Sequence, residues 1–160
     1  MLRLFSVGLF ALSLSVLALN VNADVESARA GGIAYLVGQQ SGDGAWRPAP
    51  GLEVQATAAA LDGLANAGMK KAAPYALGVA WLANADAASV DSLARKIFSL
   101  KTAGMNVSAL DTELLSRRNN ASRYLWGAYA GQETGFPDTP LALSARKAAL
   151  GNYGDTTQLS

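Results

Sequence analysis

Neither cysteine nor histidine occurs among the 160 residues of this chain. The first absence excludes a disulfide scaffold, a lipid-modified N-terminal cysteine, a thiolate nucleophile and a thiolate metal ligand. The second removes the imidazole base, and with it the ordinary catalytic triad. An excess of charge of one sign is also missing: Arg3 aside, twelve basic residues face twelve acidic ones. The basic residues fall in pairs, Lys70-Lys71, Arg95-Lys96, Arg117-Arg118 and Arg146-Lys147, with no stripe interleaved with aromatics. Nothing there points to nucleic acid, and the pairs read as solvated helix faces. Alternating β-branched runs are scarce, which argues against a sheet protein.

One long apolar run is present, and it stands at the start. Arg3 precedes the nearly unbroken apolar stretch Leu4 to Leu19, and Val21-Asn22-Ala23 fits a small-x-small cleavage pattern. This predicts a signal peptide over residues 1–23, cleaved before Asp24, and a secreted or periplasmic protein. The alternative reading of the same stretch is a short signal anchor. Asn106-Val107-Ser108 and Asn120-Ala121-Ser122 match glycosylation acceptors, which matter only in a eukaryotic secretory pathway.

The mature chain is rich in alanine and leucine and reads as helical throughout. Helices are expected at about Val25–Gln40, Glu53–Ala67, Lys70–Ala83, Ser89–Ala103, Val107–Arg118 and from Asp138 to just before Gly151, with a long loop over Asn119–Pro137. Gly68 and Gly104 supply stop signals, and Pro74 is tolerated only near a first turn. Val54, Ala58, Leu61, Leu64 and Ala65 make one apolar stripe, and Leu93, Ile97 and Leu100 make another.

These helix pairs repeat. Tyr35-Leu36 leads to Gln40, Trp46 and Thr57-x-x-Ala60-Leu61, while Leu114-Leu115 leads to Asn119, Trp126 and Thr139-x-x-Ala142-Leu143. The offset is near eighty residues, or two units of about forty. Trp81-Leu82 and Asp86, followed by the helix that ends at Gly104, supply a middle copy with a short loop and no tryptophan in it. Three helical hairpins then fill residues 24–151, and 152–160 is a polar tail or the start of a missing repeat. In the first copy, Gln40 has donors and an acceptor suited to bridging the unpaired groups of neighbouring helix ends. Asp43-Gly44 makes a tight turn, and Trp46 folds back over the polar bonds as a clasp.

Tyr35, Leu36, Gln40, Gly44 and Trp46 form an aromatic-Leu-x-x-x-Gln-x-x-x-Gly-x-Trp pattern that resembles the QW repeat of the terpenoid cyclase and protein prenyltransferase (squalene cyclase-like) superfamily. The third copy, with Asn119 for glutamine and Gly127-x-x-x-Gly131-Gln132 displaced, is degenerate, and the second is weak. Asp138-Thr139-Pro140-Leu141-Ala142-Leu143 resembles the start of an inner helix in that superfamily. The resemblance implies an all-α, α/α-toroid arrangement, with the first, third and fifth helices outside and the second, fourth and sixth inside. A closed toroid has five to seven hairpins, so about three imply a half or partial ring, a piece of a longer product, or a module completed by a separate toroid half. An unrelated α-solenoid is the competing architecture.

The superfamily's chemistry does not carry over. The Asp-x-Asp-Asp cluster of alkene-protonating cyclases is missing; Asp86 with Asp91 and Asp111 with Glu113 have the wrong spacing. The zinc ligands of prenyltransferases need Cys and His. No catalytic residue, metal or cofactor is therefore expected. Glu53, Asp91, Arg95 and Asp138 are the candidate inner-face polar residues, because each lies in or beside the first turn of an inner helix. The competing reading makes the acids dipole partners or caps, with Asp138 an N-cap and Asp91–Arg95 an i,i+4 pair. Tyr35, Gln40, Gly44, Trp46, Trp81, Trp126 and Tyr129 are candidates for an apolar pocket or for repeat clasps. The function expected is a binding or scaffolding module for an apolar small molecule or a protein partner. The alternative is the N-terminal piece of a cyclase-like or polysaccharide-lyase-like enzyme whose catalytic residues lie beyond Ser160.

Overall fold

The computed structural model describes residues 24–119 and 125–151. The expected signal peptide, the acceptor at Asn120 and the tail at 152–160 lie outside the described residues. The chain divides into two compact units, Met1–Gly38 and Gln39–Ser160. In the first, the described residues form one helix, α1 (24–38), with Arg29 paired to Glu26 at 3.3 Å.

The second unit is helical: α2 (Glu53–Asn66), α3 (Ala73–Asn84), α4 (Val90–Thr102), α5 (Ser108–Ser116) and α6 (Asp138–Leu150), with no strand among the described residues. The sequence signals explain the boundaries. Ala67-Gly68-Met69 and Ala103-Gly104-Met105 end α2 and α4 in the same way. Gly68 and Gly104 take φ of 78° and 83°, while Met69 and Met105 N–H reach back to the Leu64 and Leu100 carbonyls at 2.8 and 2.9 Å. These are Schellman ends, which need a left-handed residue and so favour glycine. Pro74 sits in the first turn of α3, and the Ser89 hydroxyl caps α4 by accepting from Ser92 N–H.

Helix α4 is the centre of this unit. It packs on α2 and α6, while α3 bridges α2 and α4, and α5 bridges α4 and α6. Its Val90, Leu93, Ala94, Ile97 and Leu100 are buried, as are Val54, Ala58, Leu61 and Leu64 of α2 and Ala142 and Ala145 of α6. Each fully buried Leu or Ile contributes about 1.5–3 kcal/mol of transfer free energy. The Lys70 ammonium donates to the Thr102 carbonyl at the end of α4, and Lys101 donates to Ala149 at the end of α6, both at 3.1 Å. The C-terminal ends of α2, α4 and α6 therefore share one end of the row, and the three helices run the same way.

The basic pairs are not simply solvated, which corrects the sequence reading. Arg146 is buried and donates from Nε to Asp111 at 3.1 Å across α6 and α5. Lys96 is buried with its Nζ 2.6 Å from the Ala85 carbonyl, and loss of hydration lowers its pKa. Each has an internal acceptor 11 to 35 residues away, which a local charge pattern does not reveal.

Candidate functional site

The first turn is built around contact between backbones. Gly44 has φ of 98°, and a Cβ there would stand 2.4 Å from the Leu77 carbonyl oxygen of α3. Opposite it, a Cβ on Gly78 would meet the Trp46 ring at 2.8 Å and Leu61 at 2.9 Å. Two missing side chains thus let the turn lie directly on α3, and Trp46 covers the contact at 4% exposure. Gln40 donates from Nε2 to the Gly44 carbonyl at 2.9 Å and to the Pro74 carbonyl at 2.8 Å. Gln40 thus holds its own turn to the start of α3, rather than bridging to the amides of the next helix. Trp46 N–H donates to the buried Thr57 hydroxyl at 3.0 Å, which explains why threonine stands in the repeat.

The third copy uses the same device with other residues around it. Trp126 N–H donates to the Thr139 hydroxyl at 3.0 Å, and that hydroxyl donates back to the Trp126 carbonyl. The Trp126 indole N–H donates to the Leu114 carbonyl in the last turn of α5 at 2.7 Å, and its ring is 1% exposed. The antiparallel bridge is Gln40–Trp46 in the first copy and Asn119–Leu125 in the third, one residue before its tryptophan. Asn119 donates to the Gln132 carbonyl at 2.9 Å, and a Cβ on Gly127 would stand 2.3 Å from the Glu133 carbonyl oxygen.

The middle loop has no tryptophan. Arg117, at the end of α5, donates to the carbonyls of Ala87, Ala88 and Ser89, and also pairs with Glu113. Lys96 holds Ala85 from the other side. Two cations replace an indole.

The polar candidates are placed as follows. Glu53 is the first residue of α2, with no side-chain cap bond at that end. Asp91 accepts from Arg95 Nε at 2.9 and 3.1 Å, the i,i+4 pair that the spacing allows. Asp138 is the first residue of α6, not its N-cap; that position is Pro137, because the helix already begins at Asp138. Of the four, Asp91 and Arg95 are joined by a hydrogen bond. Among the aromatics, Trp81 is stacked by Arg47, whose guanidinium lies 5.5 Å from the ring centroid, and Tyr129 is half exposed. Tyr35 lies in α1, the helix of the N-terminal unit.

A cavity of about 300 Å³ opens along the row of α2, α4 and α6, lined by Asp62, Ala65, Asn66, Arg95, Phe98, Thr102 and Leu141. Only Arg95 of the sequence candidates lines it. Positions 62, 65 and 66 share one face of α2, and 95, 98 and 102 share one face of α4. Asp62 Oδ1 accepts from the Ser99 hydroxyl at 3.1 Å. Packing around the carboxyl raises its pKa, against the smaller pulls of Ser99 and the Arg95 charge. The sequence signal that could have found Asp62 is its position one residue off the buried stripe, at Leu61. No group of three metal-ligating side chains gathers among the described residues, and no helix among them is long and apolar enough to cross a membrane.

The charged groups that line the cavity are Asp62 and Arg95. No family model, curated protein or solved structure matches the chain.

Proposed function

We propose that the chain is an exported binding module of the α/α-toroid type, with α2, α4 and α6 as inner helices and α3 and α5 as outer ones. The observation that carries this is the cavity along α2, α4 and α6, with Phe98, Leu141 and Ala65 in its lining. Concave, largely apolar sites with a few polar groups are where small ligands bind. The resemblance of Gln40, Gly44 and Trp46 to the QW repeat supports the toroid reading, and residues 1–23 support export. The occupant is an apolar small molecule, with a protein partner as the second use of the same face.

The test is fluorescence of a neutral apolar dye, N-phenyl-1-naphthylamine, added to the purified chain and to Leu141→Asp. Enhancement that the variant loses, at an unchanged unfolding midpoint, is the expected result. No enhancement, or enhancement indifferent to the variant, would overturn the reading. Mass spectrometry of the secreted product tests export by whether Asp24 comes first.

A further inference from the structure

We propose that the cavity along α2, α4 and α6 takes a zwitterion, an amino acid with an apolar side chain, in preference to an ammonium or a carboxylate with the same apolar body. The inference rests on the binding reading above and names the ligand class of that site.

The cavity presents one acid and one base from two helices. Asp62 comes from α2 and Arg95 from α4, and they are the charged side chains of the lining. They are not paired with each other: the ion-pair partner of Arg95 is Asp91, which stands outside the lining. Arg95 uses only Nε on Asp91, at 2.9 and 3.1 Å. Its two Nη groups bond no described group, and such a fork suits a carboxylate. Asp62 Oδ1 accepts from the Ser99 hydroxyl at 3.1 Å, while Oδ2 accepts from no described group and is open to an ammonium. Burial raises the Asp62 pKa and the Arg95 charge opposes that, so the acid and the base are within electrostatic reach of one another.

A single ion gains little from such a lining. An ammonium is drawn to Asp62 and repelled by Arg95, and a carboxylate meets the reverse. A neutral apolar molecule uses neither group. A ligand with both charges a few atoms apart meets both, its ammonium at Asp62 and its carboxylate at the Arg95 Nη groups, and these attractions act at shorter range than the cross repulsions. Phe98, Leu141 and Ala65 then take the apolar side chain, and a volume of about 300 Å³ suits a molecule of that size. Asp62 and Arg95 are both exposed, so each contact has the modest strength of a surface ion pair.

The test is an amide NMR titration of the full chain at neutral pH with leucine, isoamylamine, isocaproate and isohexanol, following residues 62–66, 95–98 and 141. These ligands share one branched body and carry both charges, the ammonium, the carboxylate and neither. Leucine should bind about fivefold more tightly than the amine or the acid, the scale of one exposed ion pair. Arg95→Met should remove the advantage of leucine over isoamylamine, and Asp62→Asn its advantage over isocaproate. Asp62→Asn keeps an acceptor for Ser99 and Arg95 is exposed, so both variants should keep the fold and the isohexanol affinity. Leucine binding no tighter than either single ion, or an advantage that survives its substitution, would overturn the zwitterion inference, while isohexanol shifts keep the apolar-site reading. No shifts with any of the four would overturn both.

Discussion

In the turn before α2, the backbone of Gly44 lies on the backbone of α3, and Trp46 seals it. In the loop before α4, the same task of holding a connection to its neighbours falls to Lys96 and Arg117, which reach four carbonyls between Ala85 and Ser89. The first solution is a fit between neutral surfaces and has no room for an added atom. The second is a set of charged donors on long stems, which tolerates local movement but needs the donors themselves. Equivalent places in a repeat need not be stabilised by equivalent chemistry.

The largest effect should come from adding one methyl group to the neutral fit. Gly44→Ala combines a left-handed backbone with a clash on the Leu77 carbonyl, and should cost about 4 kcal/mol or more. Urea unfolding should show the loss; a near-wild-type midpoint would mean that the turn does not rest on α3. Trp46→Ala comes next. A partly exposed turn would make this a small loss, but the ring is buried, so about 3–5 kcal/mol is expected.

The charged solution should break by a different substitution. Arg117→Met removes the donor to three carbonyls and should cost about 2 kcal/mol, with Arg117→Lys recovering only part because a lysine cannot fan over all three. Equal losses for Met and Lys would show that the fan itself matters little. Gln40→Ala should cost about 1–2 kcal/mol through the Gly44 and Pro74 carbonyls, and less than additively with Trp46→Ala, since both act on one turn.

The smallest effect belongs to the exposed pair on the first turn. The hydrogen bond from Arg47 holds the Asp43 carboxyl down at about 2, below its ordinary 3.8. A carboxyl depressed in the fold adds stability that is present above pH 3.8 and is lost as pH falls through about 2. Asp43→Asn should therefore match the parent near neutral pH only to within a small deficit, and should lose less than the parent between these two values. Unfolding midpoints of both chains across that range check this; parallel curves would remove the pair from the account.

The helices and their ends were legible because their signals are local. Gly68, Gly104, Pro74 and Ser89 act within a turn of their own positions, and the stripes at Leu61 and Ile97 follow helical spacing. The Trp46 and Trp126 landmarks were legible as a repeat, and the threonines behind them as part of it. What stayed hidden depends on partners far along the chain. Arg146 reads as surface until α5 brings Asp111 beside it. Gly78 reads as a weak spot in a helix until the Trp46 ring is seen against it. The cavity was hidden for the same reason, since Asp62, Phe98 and Leu141 lie on three helices whose order in space no periodicity states. First-turn acids drew attention because that position has a known electrostatic meaning, yet the cavity engages only Arg95 among those candidates.

The threonine behind each tryptophan has a consequence in time. The amides of Trp46 and Trp126 belong to connecting segments, where solvent exchange is ordinarily fast, but each is tied to a hydroxyl of the following helix. Such an amide can exchange only when the helix that holds its acceptor moves away. In deuterium oxide these two loop positions should keep their protons as long as the interior of α2 and α6, marking where separate repeats open together.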